Sequence, residues 1–558
     1  MESTYKGRQI LMETFLAEGV EYIFGNPGTT ELPLVDSLNE YPALQYILAL
    51  QEAVAVTMAD AYAQMSGKVG VVNLHVGPGL GNGIGSIYGA WEGGTPLVVT
   101  AGQQDTRMRL REPLLGHDLV AMAAPVTKWS VEANNAGELA LVLHRAFKTA
   151  REAPTGPVFV ALPINVMEED TTHGPMAPSR LFSRLAPDAG GLREAAELLL
   201  RARQPLVVCG DRVARCDAVN ELVALVELVG ADVYNEVLPS RINFPIGHPQ
   251  YRDRGAGDQA QLRKMFGDAD TILLVGGDFF EEVWYEDEPP FPEDAALIQI
   301  DPFPGKLGHN YPVDCGLLGD PKLALQGLID EIGGRADDAF HEAAAARRER
   351  LAGVKAEENA RQQARADKSP NQRPMSPARL MEALSAAAPP DVAVAGEAIT
   401  SSADLTRSFQ FTGPQDYLAS RGGGIGQALP SAIGMKLAQP DRPVLAISGD
   451  GSSLYTIQAL WSAAHHKLPV VFVILNNRTY RILKINMNRY RSMAGLGGER
   501  PYRHLDLTEP DMDYVSIAHG FGLEAAKIEA PEDIGPAVEK AFASGKPWLL
   551  DILVDGSV

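Results

Sequence analysis

A Gly-Asp-Gly sequence and a later Asn-Asn pair have the residue types and spacing for binding chemistry. The segment GDGSSLYTIQALWSAAHHKLPVVFVILNN follows one apolar strand pattern, contains a helix pattern and ends after a second strand pattern. Both strand ends are expected at the carboxyl edge of one parallel sheet, where ligands bind. Gly449 and Gly451 allow a ligand to approach the backbone, and the helix N-terminus offers N–H groups to an anion.

Asp450 adds a carboxylate beside this predicted anion site. Such an arrangement is electrostatically favourable only when a cation lies between the two negative groups. Asn477 can supply an amide oxygen, and the turn at 478–480 can supply a backbone carbonyl. Oxygen ligands next to a phosphate suit Mg²⁺ or Ca²⁺ rather than zinc. The segment therefore predicts a site for a phosphate-bearing ligand and a hard divalent cation.

Glu52 and His75 are two further polar residues that follow apolar strand patterns. Glu52 lies between YILAL and an Ala-rich helix pattern, and His75 ends the run VGVVNLH. On local sequence alone, Glu52 is either an acid that complements the start of a helix dipole or a carboxyl buried for chemistry. His75 is either a structural histidine or a group that transfers protons.

The composition excludes several classes of function. The chain has 558 residues, enough for three or four domains, and a formal net charge of −22, which argues against binding to nucleic acid or to an anionic membrane. No apolar run approaches the roughly 20 residues that span a bilayer, and the start lacks a signal-peptide pattern. We expect a cytoplasmic protein. Its three cysteines lack metal-ligand spacing.

Apolar strand patterns alternate with helix patterns along the whole chain, which predicts α/β domains built on parallel sheets. Composition changes at 172–191 and 343–374 divide the chain into three units. The first and third units share the order strand, glycine turn, Trp-containing helix, proline and strand. Either a common βαβ arrangement or a duplicated domain explains this; the second would suggest one ligand held between two related modules.

The chain resembles thiamine-diphosphate enzymes, whose diphosphate-binding motif is GDG…NN. The segments FGNPGTTELP, YILALQEA, VNLHVGPGLGN, PLVVTAGQQ and GGGIGQALPSAIG extend the resemblance to the benzoylformate decarboxylase branch of the pyruvate decarboxylase/acetolactate synthase superfamily. The resemblance implies three doubly wound parallel-sheet α/β domains. These are a pyrimidine-binding domain at 1–180, a central Rossmann-like domain at 190–340 and a diphosphate-binding domain at 370–558.

The resemblance also implies roles for individual residues. Glu52 would hold the cofactor's pyrimidine ring and His75 would transfer protons during the reaction. The metal ligands would be Asp450, Asn477 and the carbonyl of Thr479. Gly423 would offer its carbonyl to the aminopyrimidine, and Ile425 would hold the cofactor bent. The remaining predicted cofactor contacts are Thr400, Gly449, Gly451, Ser452, Tyr455 and Tyr480.

The predicted substrate pocket follows the family in part. Its residues are Thr29, which would contact the substrate carboxylate, and Leu114, Leu115 and Ile482. Two features depart from the family. Val283 or Trp284 stands where a second catalytic histidine is expected, and Asn486 stands where an aromatic residue is expected. His117, close to the leucines, is either a substitute proton donor or a surface-loop residue.

The predicted function is non-oxidative decarboxylation of a benzoylformate-like 2-oxo acid to an aldehyde, dependent on thiamine diphosphate and Mg²⁺ (or Ca²⁺) and with carboligation as a side activity. The alternatives are a carboligase or lyase of acetolactate synthase or benzaldehyde lyase type, and a cofactor-binding scaffold without turnover. The central unit has no G-x-G-x-x-G between a strand and a helix, so no nicotinamide site is expected. The resemblance implies that related acetolactate synthases bind FAD in this unit, but no sequence feature supports it here, and FAD is not expected. The family implies a homodimer or homotetramer with active sites at the chain interface.

Overall fold

We describe residues 4–255, 257–279, 283–367, 372–498 and 500–558 from a computed structural model. The chain forms two compact units. The first comprises Met1–Leu181, Ser369–Leu405 and Ala419–Val558, and the second comprises Phe182–Lys368 and Thr406–Leu418. Within the described ranges, no helix combines the length and the apolar character needed to cross a bilayer.

The N-terminal part of the first unit contains a six-stranded parallel sheet in the order β3-β2-β4-β5-β7-β6, beside a small antiparallel pair, β1-β8. Its strands are β1 (Tyr5–Lys6), β2 (Tyr22–Gly25), β3 (Gln45–Leu48), β4 (Gly70–Leu74), β5 (Leu97–Gln103), β6 (Ser130–Glu132), β7 (Val158–Pro163) and β8 (Asp170–Thr171). Its helices are α1 (Gly7–Ala17), α2 (Leu32–Ser37), α3 (Glu52–Ser66), α4 (Val76–Glu92), α5 (Leu119–Ala123), α6 (Ala136–Arg151) and α7 (Ile164–Glu168).

The central sheet, in the second unit, is parallel with the order β11-β10-β9-β12-β13-β14. Its strands are β9 (Pro205–Cys209), β10 (Asp232–Asn235), β11 (Tyr251–Arg254), β12 (Thr271–Val275), β13 (Ala296–Asp301) and β14 (Cys315–Leu318). The helices around it are α8 (Ala189–Arg201), α9 (Asp211–Arg215), α10 (Val219–Val229), α11 (Gln259–Phe266), α12 (Pro321–Gly333) and α13 (Asp338–Asp367). In chain order the strands run 3-2-1-4-5-6, the Rossmann order.

The C-terminal sheet has the order β16-β15-β17-β18-β20-β19. Its strands are β15 (Ala393–Glu397), β16 (Tyr417–Ala419), β17 (Val444–Gly449), β18 (Val470–Asn476), β19 (Glu524–Ile528) and β20 (Trp548–Leu553). Its helices are α14 (Pro377–Ala387), α15 (Ser402–Ser408), α16 (Ala428–Ala438), α17 (Asp450–Ser453), α18 (Ala459–His465), α19 (Arg481–Met493), α20 (Tyr514–Gly520) and α21 (Ile534–Ala543).

The N-terminal and C-terminal sheets have the same topology. Numbered within its own module, each has the strand order 2-1-3-4-6-5. In both modules the helix that follows the second strand, α3 or α16, packs against its counterpart in the other module. A duplicated module predicts this shared order, and the structure thereby extends the local similarity seen in the sequence to two complete sheets.

The fold class is therefore three parallel, doubly wound α/β sheets, as the sequence predicted. The central strands are buried on both faces because helices cover each side; every residue of β4, β5 and β7 is buried. The helix predicted within the segment GDGSSLYTIQALWSAAHHKLPVVFVILNN is not continuous. The segment breaks into α17 and α18, because Tyr455 and Thr456 form tight i→i+3 backbone bonds and the Thr456 hydroxyl donates to the carbonyl of Gly426.

Candidate active site

Asp450 and Asn477 lie at the carboxyl edge of the C-terminal sheet, directly after two adjacent strands. Strands β17 and β18 pair in parallel, with Gly449 opposite Leu475. Asp450 is 4% exposed, and its carboxylate accepts hydrogen bonds from the backbone N–H of Gly451 at 2.8 Å and of Arg478 at 2.6 Å. The tertiary structure thus brings the two separated motifs to one edge, as the spacing predicted.

The chemistry of this edge fits a hard cation. Burial raises the pKa of Asp450 to about 6, although backbone N–H groups of the neighbouring turn favour its charged form. A bound cation would offset that desolvation and hold the carboxylate charged. The Asn477 amide oxygen accepts from Thr479 N–H at 3.0 Å, and the Thr479 carbonyl lies in the same turn. These are oxygen donors, the type that Mg²⁺ and Ca²⁺ prefer.

Gly451 is required where the Asp450 turn meets Tyr480. A Cβ on Gly451 would lie only 2.4 Å from the Tyr480 ring, so no other residue fits without displacing the ring. Tyr480 in turn lies beside Tyr455 and Asp450, and burial together with these neighbours raises its pKa. The structure therefore groups these predicted cofactor contacts with the metal ligands.

The remaining predicted diphosphate contacts lie around the same turn. Gly449 is the last residue of β17, and Ser452 lies buried in the short helix α17. Tyr455 is 58% exposed in the segment between α17 and α18. Thr400 lies in a 3₁₀ turn, Ile399–Ser401, which follows β15 and contacts α19.

The loop before α16 presents the residues predicted to contact the aminopyrimidine. Gly423 is exposed and has a φ of +70°, a conformation that favours glycine. Ile425 is 36% exposed. Gly426 has a φ of +90° and packs closely against Tyr455: a Cβ added to Gly426 would lie only 2.6 Å from the Tyr455 Cβ. This last contact places the loop beside the diphosphate-side residues.

Glu52 is the first residue of α3 and is 7% exposed. The preceding residue, Gln51, caps the helix by accepting from the Val54 N–H at 3.2 Å. The Asn82 amide of α4 donates to Glu52 Oε2 at 3.0 Å, whereas Oε1 makes no hydrogen bond within the described chain. One carboxylate oxygen is thus anchored and the other is available to a ligand.

His75 is held by a buried carboxylate that the sequence reasoning missed. Its Nδ1 lies 2.7 Å from Oε2 of Glu31, which is 2% exposed. Glu31 also accepts from the backbone N–H groups of Gly28 and Gly102, at 2.9 and 2.7 Å, and from the hydroxyl of Thr30 at 2.9 Å. With the proton on Nδ1, the neutral ring leaves Nε2 as an acceptor.

A capping pattern could have identified Glu31 in the sequence. Glu31 follows Gly28 by three residues, and its carboxylate accepts the Gly28 N–H as in a capping box. The pattern would have indicated the start of a helical turn after the first strand. The contact with His75 arises from the tertiary structure, because 44 residues separate the two.

Glu52 and His75 both lie beside the first turn of α4. A Cβ placed on Gly79 would lie 3.2 Å from Glu52 Oε1 and 3.3 Å from His75 Cβ. The two predicted catalytic residues therefore share one small space, kept open by the missing side chain at position 79.

The predicted substrate residues lie on loops and on a poorly buried helix. Thr29 is exposed at the start of a 3₁₀ turn, Leu114 is 82% exposed, and Leu115 has a φ of +65° in the loop before α5. The loop is anchored to the end of β5, since the Gln104 amide donates to the Leu114 carbonyl at 2.8 Å. Ile482 lies on α19, none of whose residues is buried.

The residues that depart from the family pattern lie near these loops or in the second unit. His117 is exposed in the same loop as Leu115, and its Cβ would lie 3.7 Å from a Cβ on Gly77 of α4. Asn486 is four residues after Ile482, on the same face of α19. Val283 is 73% exposed in the second unit.

The predicted site residues thus form two groups within the first unit. One surrounds Glu52 and His75 in the N-terminal module, and the other surrounds Asp450 in the C-terminal module. Within the described part of the chain, no hydrogen bond or ion pair joins Glu52 or His75 to the metal-side residues Asp450, Asn477 or Thr479.

Comparison with known proteins places each module in one family. Residues 5–122 match the model "Thiamine pyrophosphate enzyme, N-terminal TPP binding domain", residues 192–328 the central domain and residues 398–552 the C-terminal TPP binding domain.

Individual relatives extend over the whole chain. It is 32% identical to a benzoylformate decarboxylase of Pseudomonas aeruginosa, over 97% of both proteins. It is 25% identical to the acetolactate synthase large subunit of Haemophilus influenzae, over 99% of this chain and 95% of that protein. A solved thiamine diphosphate-dependent 4-hydroxybenzoylformate decarboxylase of Rhodococcus jostii RHA1 superposes with a TM-score of 0.86 at 28% identity, over 99% of both chains.

Proposed function

We propose a decarboxylase function, on the premise that the chain belongs to the thiamine pyrophosphate enzyme family. The reaction is non-oxidative decarboxylation of a 2-oxo acid: the bond between the carboxylate and the carbonyl carbon breaks, a proton is taken up, and an aldehyde and CO₂ leave. The substrate class we propose is benzoylformate-like. Thiamine diphosphate, when bound, supplies the electron sink for the carbon that loses CO₂.

The observation that carries this proposal is that Glu52 and His75 both lie beside Gly79 and that each has one functional atom free of hydrogen bonds within the described chain. Asn82 anchors Glu52, and Glu31 anchors His75, so both side chains are pre-positioned. We assign Glu52 Oε1 to a hydrogen bond with the pyrimidine ring. We assign His75 Nε2 to holding and moving a proton at the substrate's carbonyl oxygen.

The other residues of the site bind and orient. The Thr29 hydroxyl would bind the substrate carboxylate, and Leu114, Leu115 and Ile482 would pack against the substrate's side chain. Asp450, Asn477 and Thr479 would hold Mg²⁺, with Ca²⁺ as a substitute. The fit rests on the buried carboxylate and on the oxygen-only donor set.

We also propose that the active site is completed by a second copy of the chain. Glu52 would come from one copy and the Asp450 group from another, in a homodimer or homotetramer. The division into domains at 1–180, 190–340 and 370–558 belongs to the same proposal.

A carboligase or lyase function is the second candidate, and the residue at one position favours it. Val283 or Trp284 stands where the family resemblance places a second histidine. Without that donor, the product-forming protonation would be slower and transfer of the acyl unit to a second carbonyl would compete. The similarity to an acetolactate synthase large subunit supports this second candidate.

A substrate panel distinguishes these functions. The protein is incubated with thiamine diphosphate and Mg²⁺ and with benzoylformate, pyruvate or branched 2-oxo acids, and the products are separated. Aldehyde as the main product supports the decarboxylase, and a 2-hydroxy ketone supports the carboligase. If no substrate gives an aldehyde or a 2-hydroxy ketone, both catalytic functions are contradicted and a binding scaffold without turnover remains.

Glu52→Gln provides the control for cofactor chemistry. It keeps the size of the side chain and the bond from Asn82, but it removes the carboxyl proton exchange proposed at the pyrimidine ring. We expect turnover to fall at least a hundredfold. Unchanged turnover in Glu52→Gln would contradict the role assigned to Glu52. As a separate control, the wild-type protein is dialysed against a chelator, and any activity that it shows without added thiamine diphosphate should then be lost.

A further inference from the structure

Glu397 is a buried carboxylate at the centre of the C-terminal module that no predicted role uses. It is the last residue of β15 and is 5% exposed. It lies opposite Ser448 in the parallel pairing of β15 with β17, two residues before Asp450. It also lies two residues before the 3₁₀ turn Ile399–Ser401, which contains Thr400. Glu397 is therefore surrounded by segments with predicted cofactor contacts, although it is assigned no contact itself.

The Glu397 carboxylate binds the backbone of the loop before α16. Oε1 accepts from Gly426 N–H at 2.6 Å, and Oε2 accepts from Gln427 N–H at 2.9 Å and from Ala428 N–H at 3.1 Å. The Ser448 hydroxyl adds a longer contact at 3.5 Å. Three N–H donors on one carboxylate, at the start of a helix, form a charge-assisted anchor.

The loop is rich in glycine, and besides the Glu397 anchor the Gln427 amide donates to the Gly424 carbonyl at 3.2 Å. Gly422, Gly423 and Gly426 all have positive φ values, and glycine loses more conformational entropy on ordering than other residues. The segment 423–425 between the anchor and Gly422 is exposed. Its position is set at one end by Glu397 and by the Thr456 hydroxyl, which donates to the Gly426 carbonyl.

Burial destabilises the charged form of Glu397, and the backbone N–H groups of the loop stabilise it. Desolvation raises the pKa of Glu397 to about 7, and the N–H groups of the loop act in the opposite direction. A neutral residue would avoid the desolvation. The carboxylate is therefore better explained by the position that it imposes on the loop than by a gain in stability.

We propose that Glu397 is a positioning residue, which fixes the loop so that the Gly423 carbonyl and the Ile425 side chain are in place for the aminopyrimidine ring. The proposal rests on the proposed function, because it assumes that thiamine diphosphate binds at this loop. It goes beyond that function by making cofactor affinity depend on a residue that touches no cofactor atom.

The test is the affinity of Glu397→Gln for thiamine diphosphate. Glutamine keeps the shape but replaces one acceptor oxygen by an NH₂ group, which opposes the loop's N–H donors. At saturating Mg²⁺, we expect the Kd measured by quenching of tryptophan fluorescence to rise at least tenfold, given the strength of charged hydrogen bonds. Turnover at saturating cofactor should fall less than affinity does.

Glu236→Gln is the matched control. Glu236 is 1% exposed in the second unit and accepts the backbone N–H groups of Asp211 and Asp278, at 2.9 and 2.7 Å. Its replacement removes a comparable buried carboxylate far along the chain from the loop. We expect lower thermal stability in both variants but weaker cofactor binding only in Glu397→Gln. An equal rise of Kd in the two variants would overturn the proposal.

A second variant covers a failure of Glu397→Gln to fold. Thr456→Val keeps the side-chain shape and removes only the hydroxyl that donates to the Gly426 carbonyl, so it loosens the same loop and should raise Kd in the same direction. A Kd within twofold of wild type in each folded variant overturns the proposal. A wild-type chain that binds no thiamine diphosphate refutes the proposed function itself, which is a distinguishable result.

Discussion

At the scale of single residues, the contact between Glu31 and His75 decides what the imidazole can do. The Glu31 carboxylate accepts hydrogen bonds from two backbone N–H groups and one hydroxyl, so its orientation is fixed independently of its contact with the His75 ring. The ring is 22% exposed while the Glu31 side chain is 1% exposed. His75 thus faces the solvent-accessible side with one nitrogen, and the protein holds the other.

A double-mutant cycle tests this coupling. We expect Glu31→Gln to lower kcat by tenfold to a hundredfold, because the ring loses the partner that fixes its tautomer. His75→Ala should lower kcat further. The double variant should be no worse than His75→Ala alone, since both changes remove one unit.

Additive effects in that cycle would contradict the assignment of Glu31 as the partner of His75. Circular dichroism and thermal unfolding of each variant show whether the fold is retained. The measurement is kcat and KM with the best substrate of the panel.

The wall formed by α19 makes a second prediction at this scale. Ile482 and Asn486 share a face, whereas Met487 lies on another face of the same helix. If the first two residues limit the substrate's side chain, Ile482→Ala with Asn486→Phe should raise kcat/KM for benzoylformate relative to pyruvate, by about tenfold. Met487→Ala should leave the ratio unchanged. A ratio that moves equally in both variants would contradict the assigned wall.

At the scale of elements, helix α4 follows the buried strand β4 directly and is rich in glycine. His75 is its N-cap residue, and Gly79 gives Glu52 and His75 the space in which they meet. Helix propensity alone disfavours glycine by about 1 kcal/mol relative to alanine. Gly79 therefore costs helix stability but preserves the geometry of the site.

Two glycines of α4, Gly79 and Gly85, allow this role of Gly79 to be tested against a control. Gly79→Ala adds a Cβ at 3.2 Å from Glu52 Oε1 and 3.3 Å from His75, so we expect kcat to fall at least tenfold. Gly85→Ala meets no atom within 4 Å and should stabilise the helix by roughly 0.5–1 kcal/mol without loss of activity. Denaturant unfolding and steady-state kinetics measure both effects. Full activity in Gly79→Ala would show that its neighbours move aside.

At the scale of the molecule, the first unit is built by packing two similar modules through α3 and α16. A Cβ on Gly434 of α16 would lie 2.2 Å from the Met58 carbonyl of α3. The end of β3 is anchored as well, because Leu48 N–H donates to His466 Nε2 at 3.0 Å and its carbonyl accepts from Ser462 at 3.1 Å. Elements that precede Glu52 are thus fixed by residues that follow the GDG motif.

We expect Gly434→Ala to lower the free energy of unfolding by about 1–3 kcal/mol, because the helices must separate to admit the methyl group. It should also weaken cofactor binding, since α16 follows the Gly423 loop. Gly535→Ala, which meets no atom within 4 Å on α21, is the control: it should leave cofactor binding unchanged and, like Gly85→Ala, should not lower the free energy of unfolding. Equal stabilities of the two variants would contradict the close contact between α3 and α16.

The predictability of the fold differed among the strands. Strongly apolar segments, such as VGVVNLH and PVVFVILNN, form strands, because a buried parallel strand needs an apolar run. Shorter or more polar strands gave no comparable signal: β6 has only three residues, and β19, with the sequence EAAKI, has a single buried residue, Ile528. Only the hydrogen bonding of neighbouring strands makes these segments part of the sheets.

Residue types and their spacing were enough to predict the local chemistry: a turn that favours an anion and a cation at Asp450, a carboxyl at a helix start at Glu52, and a histidine after a strand at His75. Those features depend on neighbours within a few residues. The tertiary structure decided what each group contacts. Glu31 contacts His75, Glu52 and His75 both lie beside Gly79, and Glu397 binds a loop about 30 residues away, because parallel strands bring distant segments to one edge.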